Sequence, residues 1–185
     1  MKSPTSFIVE PFDGRRYANT VKIGDIDFIT SSSQEDHLAT NRYAKVVSCP
    51  NNYNGPIVPG NLLIVHHNVF RVYFDMKGRD RNSRSFLNEG TFFIDDDQWF
   101  GYGNEGDWKA KEGFTFVKPV PVMTDLFKHS THEEPLMGEV VHSAKYNKGE
   151  IISFTPDSEY PFIVDGEKLY RIYDSSIIIK WNIAK

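Results

Sequence analysis

The pattern of apolar and polar positions along the chain predicts a mainly β protein. Residues 21–29 alternate apolar and polar side chains, which is the two-residue period of a strand with one buried face. Short apolar runs bounded by turn residues recur later, and the stretch from Gly149 to Trp181 predicts two strands joined by a turn-rich connection. No segment longer than about ten residues shows the 3.6-residue period of an amphipathic helix. We therefore expect little helix.

Three blocks of the first half recur, in the same order, in the second half. The matching pairs are Tyr43–Val47 with Met137–Val141, Gly60–Leu63 with Gly149–Ile152, and Phe92–Phe100 with Tyr170–Ile178. This order predicts a duplication in which each half is a small barrel of short strands with its own core. Chance similarity between two β-rich halves is the alternative that the sequence alone leaves open.

The repeat and the turn signals divide the chain into four segments. Residues 1–19, with two prolines and an Arg-Arg pair, predict an N-terminal arm. Residues 20–103 are predicted to form the first barrel, with a long hairpin excursion at 69–90. Residues 104–113 begin in a run of glycine and acidic residues and predict a linker. Residues 114–185 are predicted to form the second barrel.

Composition narrows the classes of partner and compartment. The 185 residues carry a formal net charge of -4 with no strongly basic domain, which argues against nucleic acid as the main partner. The single cysteine excludes an intramolecular disulfide and a cysteine-rich zinc site. No apolar run approaches the roughly 20 residues that span a bilayer, and the N-terminus lacks the features of a signal peptide. We expect a cytoplasmic protein with no membrane partner.

Three histidine or aspartate clusters match metal-site chemistry only weakly. The segment from His129 to Glu134 offers two imidazoles and carboxylates for a metal, but a solvated loop is the favoured interpretation. His66 and His67 are adjacent, so in a strand they are expected to point to opposite faces and not to share a metal. Asp95–Asp97 lacks the spaced oxygen ligands of a calcium loop, which favours a solvated turn. No metal or other cofactor is predicted.

The remaining reactive side chains do not indicate an enzyme. Gly78–Arg84 holds three arginines that would suit phosphate or an acidic partner, although a solvated hairpin tip is favoured. Cys49 precedes Pro50 and has no base beside it in the sequence, so a catalytic thiol is not expected. The sequence contains no Walker A, GxSxG, HExxH or paired CxxC signature. We therefore predict a non-enzymatic protein that works by contact.

A series of segments in the second half follows the order of a known protein family. The series is Val120-Pro121-Val122, the loop Lys128–Pro135, Met137–Val141, Lys148–Phe154, and Gly166–Ile172 followed by Asp174–Ile179. In this order the segments resemble the first core strand, mobile loop, G-E-V strand, V-G-D-x-V-x-F segment and closing strands of the GroES-type co-chaperonin family. The first half resembles the same pattern more loosely from Val21 to Tyr102. Tandem and phage-encoded relatives exist in that family.

The resemblance implies two tandem GroES-like barrels in a chain that assembles into a homo-oligomeric ring and caps a chaperonin chamber. The family binds its chaperonin through an apolar tripeptide in the mobile loop. Here Leu126, Phe127 and Leu136 flank the second loop, and Leu38 lies in the first loop, so these four are the candidate partner-binding residues. Neither loop contains the family's G-I-V/L type anchor. An ordinary role as strand-end core residues is the alternative for Leu126 and Phe127.

The missing anchor keeps a second function open. In this alternative the chain is a phage or bacterial structural or assembly protein that reuses the GroES-like barrel without binding a chaperonin. The excursion at 69–90 would then be its contact surface. Presence in purified virions at fixed stoichiometry would distinguish it from a lid.

Overall fold

The computed structural model describes residues 2–17, 20–23, 26–29, 39–122 and 133–181. Within these ranges the chain forms strands and three short 3₁₀ turns, and no α-helix occurs among them. The mainly β prediction is confirmed. In the same described ranges, no helix has the length and apolar character needed to cross a membrane.

The chain divides into two compact units, residues 1–103 and 104–185. The strands that begin in the first unit are β1 Phe7–Pro11, β2 Thr20–Ile23, β3 Ile26–Ile29, β4 Tyr43–Ser48, β5 Leu62–Val65, β6 Val72–Phe74, β7 Asp80–Asn82, β8 Phe86–Asn88, β9 Thr91–Ile94 and β10 Trp99–Asn104. Six of them lie side by side in the order β10-β5-β4-β1-β9-β8. The others form two separate antiparallel hairpins, β2-β3 and β6-β7.

The second unit is built around one six-stranded antiparallel sheet. The strands of this unit are β11 Asp107–Ala110, β12 Phe114–Pro121, β13 Glu133–Ser143, β14 Ile151–Phe154, β15 Tyr160–Val164, β16 Glu167–Tyr173 and β17 Ile177–Trp181, of which β12 to β17 make up the sheet. The sheet order is β15-β16-β12-β13-β14-β17. Read in reverse, this order matches the six strands of the first unit one for one, and a 3₁₀ turn precedes the last strand in both.

The match extends to the pairing of individual residues. In the first repeat, Val9 of β1 lies opposite Val46 on one side and Phe92 on the other. In the second repeat, the equivalent Val117 of β12 lies opposite Val140 and Tyr170. A bulge directly precedes this valine in both units. The three recurring blocks of the sequence thus occupy equivalent strands in the same register. The structure confirms the internal repeat, because chance similarity in sequence would not reproduce the same pairing.

A glycine turn before the third strand of each repeat shows the same correspondence. The amide of Gly60 donates to the carbonyl of Val46, and that of Gly149 to Val140, both at 2.8 Å. Both glycines have a positive φ, 98° and 86°, which other residues adopt only with strain. The turn chemistry of this connection is therefore shared by the two repeats.

The hydrophobic cores follow the same repeat. A cluster in the second unit consists of five buried residues, Val117, Val140, Ile152, Phe154 and Ile172. Their equivalents all lie in the core of the first unit, and they are Val9, Val46, Leu63, Val65 and Ile94. The first core is larger, because Phe70 and Phe92 add an edge-to-face ring pair with centroids 4.9 Å apart.

Two segment predictions need correction. Residues 7–11 of the expected N-terminal arm form β1, a central strand between β4 and β9, because Phe7 and Val9 are buried core residues. The expected linker at 104–113 contains β11. Trp108 and Ala110 of that strand are buried, and the Trp108 indole donates to the Asp165 carboxylate at 2.9 Å.

Closure of the two sheets into barrels is not seen in the described strands. Each sheet has two end strands that do not pair with each other, β15 and β17 in the second unit. The chain is thus a mainly β tandem repeat of open sheets over the described ranges, and the barrel form stays a prediction.

Candidate partner-binding site

Of the four predicted partner-binding residues, the structure places one. Leu38, Leu126 and Phe127 lie outside the described residues. Leu136 lies in β13, is partly buried, and packs against the core of the second unit. It adopts a positive φ of 57°, which is uncommon for a leucine and marks a bend in this long strand. Its role in partner binding stays a prediction.

Both loops that were expected to bind a partner are closed at the base by backbone pairing. In the first unit, Tyr17 and Thr40 form an isolated antiparallel bridge on either side of residues 18–38. In the second unit, Pro121 of β12 lies opposite Glu133 of β13 on either side of residues 123–132. The first loop therefore connects β1 to β4, and the second connects β12 to β13. The sequence pattern predicted this connection for the second loop.

A cluster of three side chains, which we name the loop-base triad, surrounds the end of the second loop. Glu133 accepts hydrogen bonds from Lys168 at 2.7 Å and from the Tyr170 hydroxyl at 2.6 Å. Burial opposes ionisation of Glu133, but these two hydrogen bonds outweigh it, so its pKa is lowered. The bond to Glu133 also raises the pKa of Lys168. The triad holds β13 to β16 at the point where the loop returns to the sheet.

The hairpin β6-β7 lies inside the predicted excursion and has an apolar tip. Tyr73 and Phe74 are exposed on β6, and Met76 at the turn is fully exposed. The Asp75 carboxylate accepts the amides of Lys77 and Arg79, at 2.8 and 3.0 Å, which fixes the turn. The Arg79 amide is the largest cause of the lowered pKa of Asp75.

Arg16 holds the base of this hairpin to the first unit. Its guanidinium donates to the carbonyls of Phe70 and Arg71, at 2.8 and 3.2 Å, and to the side-chain oxygen of Asn82 at 2.8 Å. It also lies over the Phe92 ring, 5.2 Å from the centroid. Because one side chain joins the residues just before β6 and the end of β7 to the core, the hairpin is held at its base.

The predicted polar clusters have structural roles where they are described. Asp95 caps the 3₁₀ turn before β10 in a capping box with Gln98, and it accepts a hydrogen bond from Ser6 at 2.7 Å. Burial raises the pKa of Cys49, which disfavours a reactive thiolate. Among the described residues no group of three histidine, cysteine or acidic side chains is arranged to hold a metal ion. His129 and His132 lie outside those residues.

The histidine pair departs from its prediction. His66 directly follows the end of β5 and His67 begins a turn, so their rings do not point to opposite faces. The ring centroids are 4.1 Å apart, and the His66 Nδ1 accepts the amide of Asn68 at 3.1 Å. The expectation of opposite faces was wrong because the strand ends at Val65, one residue earlier than the apolar run indicated.

Sequence reasoning predicted the last strand, β17, but missed its exposure. Its Ile-Ile-Ile run matched a buried strand, yet Ile178, Ile179 and Trp181 are exposed. The residues of β17 give no signal of this exposure, because a run that is apolar at consecutive positions is typical of a strand that is covered on both faces.

Comparisons with protein-family models, with curated proteins and with solved structures found no match for this chain.

Proposed function

We propose that the protein is a non-enzymatic, co-chaperonin-like lid that assembles into a ring and caps a chaperonin chamber. The observation that supports this proposal best is the tandem repeat, in which two sheets share one strand order and one register. In this proposal the GroES-like resemblance of the second half applies to the first half as well, because the two halves share this strand order. We further propose that each sheet closes into a small barrel in the assembled state.

In this proposal the loops between the first and second strands of each repeat carry the contact. A short apolar segment that docks in a groove gains affinity from burial of a few side chains, provided that its ends are held. The loop-base triad and the Pro121 pairing hold both ends of residues 123–132 on the sheet. Leu126 and Phe127 are the proposed anchors, and Leu38 and Leu136 are proposed as secondary contacts.

The test is co-migration of the protein with a purified bacterial chaperonin in the presence of ATP. Leu126→Ser and Phe127→Ser are expected to abolish co-migration. Leu87→Ser is the matched control, because Leu87 is an exposed leucine on β8 that belongs to neither loop in the sequence. Wild-type protein that stays apart from the chaperonin under these conditions would overturn the lid proposal.

The β6-β7 hairpin favours a second candidate, a structural or assembly protein of a phage or bacterium. The second repeat connects β14 to β15 directly, without an equivalent hairpin, so the fold does not need this element. Yet the hairpin is held by Arg16, shaped by Asp75 and tipped by an exposed Met76. Residues 71–84 carry five basic side chains against two acidic ones, which suits an acidic surface with an apolar pocket.

Met76→Glu tests this second candidate, with Leu87→Glu as the control. If the hairpin anchors the protein in a larger particle, wild-type and control protein are found in purified particles at one fixed stoichiometry. The Met76 variant is expected to be absent from them. Equal incorporation of all three would exclude the hairpin as the contact.

A further inference from the structure

The connection between β4 and β5 contains the one Asn-Gly pair of the sequence, Asn54-Gly55. Both residues are exposed, and neither belongs to a strand. Within the described part of the chain, neither the side-chain amide of Asn54 nor the backbone amide of Gly55 forms a hydrogen bond. The two groups that an intramolecular cyclisation would join are therefore both available.

The other asparagines differ from Asn54 in the residue that follows and, in several cases, in their hydrogen bonds. None of them precedes a glycine, whose missing side chain leaves the backbone amide open to attack. The Asn61 Oδ1 accepts the amide of Val58 at 2.9 Å, and the Asn147 side chain donates to Glu150 at 2.8 Å. Sequence and structure thus single out the same asparagine.

We propose that Asn54 is a site of spontaneous deamidation, which converts this asparagine to a mixture of aspartate and isoaspartate. The backbone nitrogen of Gly55 attacks Cγ of Asn54, its proton passes to the side-chain nitrogen, and ammonia leaves. Water then opens the succinimide ring at one of its two carbonyl carbons. Hydrolysis at Cγ restores the original main chain as aspartate, whereas hydrolysis at the backbone carbonyl leaves the main chain running through Cγ as isoaspartate.

Isoaspartate would change a short segment that is fixed at both ends. Tyr53 packs edge to face on Phe7 of the first core, with ring centroids 4.9 Å apart, and its hydroxyl accepts the amide of the buried Ile57 at 3.4 Å. Gly55 lies so close to Tyr53 that a Cβ at this position would overlap the ring. We expect the additional main-chain atom of isoaspartate to break this fit and to weaken the hydrogen bond from Ile57.

This modification goes beyond the proposed function and does not depend on it. Water is the only co-reactant, and Asn54 lies in neither of the two loops that are proposed to bind a chaperonin. A protein that binds no chaperonin could still be modified, and an unmodified protein could still be a lid. The two proposals can therefore fail separately.

The experiment follows the full chain by peptide mass spectrometry during incubation at mildly alkaline pH, which favours attack by the Gly55 amide. Asn54 is expected to gain the mass difference between an amide and an acid, with aspartate and isoaspartate as separable products. Asn61 and Asn147 are expected to stay unmodified over the same period. An Asn54 that stays intact, or that is modified no faster than these two, would overturn the proposal.

Two variants establish that the chemistry belongs to this position. Asn54→Gln is expected to lose the modification, because a glutamine would have to close a larger ring. Asn52→Gln changes another exposed asparagine of the same connection and is the matched control, in which Asn54 is expected to react as in wild type. A modification that persists at the same rate in Asn54→Gln would contradict the assignment.

Hydrogen exchange of the Ile57 amide separates the effect of isoaspartate from that of the added charge. Aged wild-type protein is expected to exchange this amide faster than fresh protein, because its hydrogen bond to the Tyr53 hydroxyl is weakened. The Asn54→Asp variant carries the new charge on an unchanged main chain and is expected to exchange like fresh wild type. Equal exchange in fresh and aged protein would exclude the loosening of this segment.

Discussion

Gly138 lies so close to Val117 that a Cβ at position 138 would stand 2.5 Å from Cγ2 of the valine. It would also stand 2.7 Å from the valine Cβ, which cannot swing away because it is attached to the backbone of β12. The close approach of β12 and β13 in the second core therefore depends on glycine at this position.

Gly138→Ala is expected to destabilise the protein by about 1–3 kcal/mol, the usual cost of overpacking a filled core. Chemical denaturation of the variant measures this change. The double variant with Val117→Ala is the control, because it removes the contact to Cγ2 at 2.5 Å and keeps only the one to Cβ at 2.7 Å. If the clash is the cause, the two changes together cost less than the sum of the two separately. Additive costs would contradict the explanation.

The two glycine turns before the third strands give a prediction about the repeat itself. Gly60→Ala and Gly149→Ala each place an alanine at positive φ, where no atom within 4 Å interferes at Gly60 and only a Glu139 oxygen, at 3.9 Å, lies near Gly149. The cost is then backbone strain alone, about 1–2 kcal/mol at each site. Denaturation of both single variants is expected to give similar losses. A loss at one site only would show that the turns are not equivalent.

The repeat is also where the sequence predicts the structure best. Strands β4, β5, β9 and β10 and their counterparts were aligned in the observed register, because their apolar positions are set by one buried face and a shared glycine turn. β1 was missed as a counterpart of β12, since five residues between prolines and charges give little periodicity. Only pairing on both sides with β4 and β9 reveals it as a central strand.

The candidate site was less predictable, for physical reasons. The loop-base triad joins Glu133 to Lys168 and Tyr170, which lie far apart in the sequence and meet only through the order of β13, β12 and β16. Local pattern carries no information about such a contact. The exposure of Ile178 likewise depends on what lies beside β17 and not on its own residues.

The loop-base triad predicts a pH dependence at the end of the second loop. Because the pKa of Glu133 is lowered in the folded protein, its stabilisation is present above the unfolded pKa, about 4.3. The stabilisation is lost as pH falls through the lower folded value. The side chains of Glu133 and Lys168 are 36% and 47% exposed, so solvent screening limits the effect to about 0–1 kcal/mol.

Hydrogen exchange of the amides of residues 133, 134, 136 and 137, measured on either side of this pH window, tests the triad. Protection is expected to fall at acid pH in wild type and to be low at all pH values in Glu133→Gln. Glu134→Gln is the control, because it removes an adjacent carboxylate and leaves the hydrogen bonds from Lys168 and Tyr170 to Glu133 in place. Equal pH profiles in wild type and Glu133→Gln would contradict a role for this carboxylate.

Arg16 is expected to determine whether the β6-β7 hairpin keeps its position. Arg16→Met retains much of the apolar stem over Phe92 but leaves the carbonyls of Phe70 and Arg71 without their charged donor. Loss of hydrogen bonds to a charged group costs about 1.5–3 kcal/mol, and here the cost falls on the hairpin. Amide exchange at 72–74 and 80–82 is therefore expected to rise, while the amides of β1 and β4 keep their protection.

Arg15→Met, a change at an exposed neighbouring arginine, is expected to leave all four strands unchanged. Exchange that rises equally in β1 and β6 would show that Arg16 stabilises the whole unit and does not position the hairpin specifically.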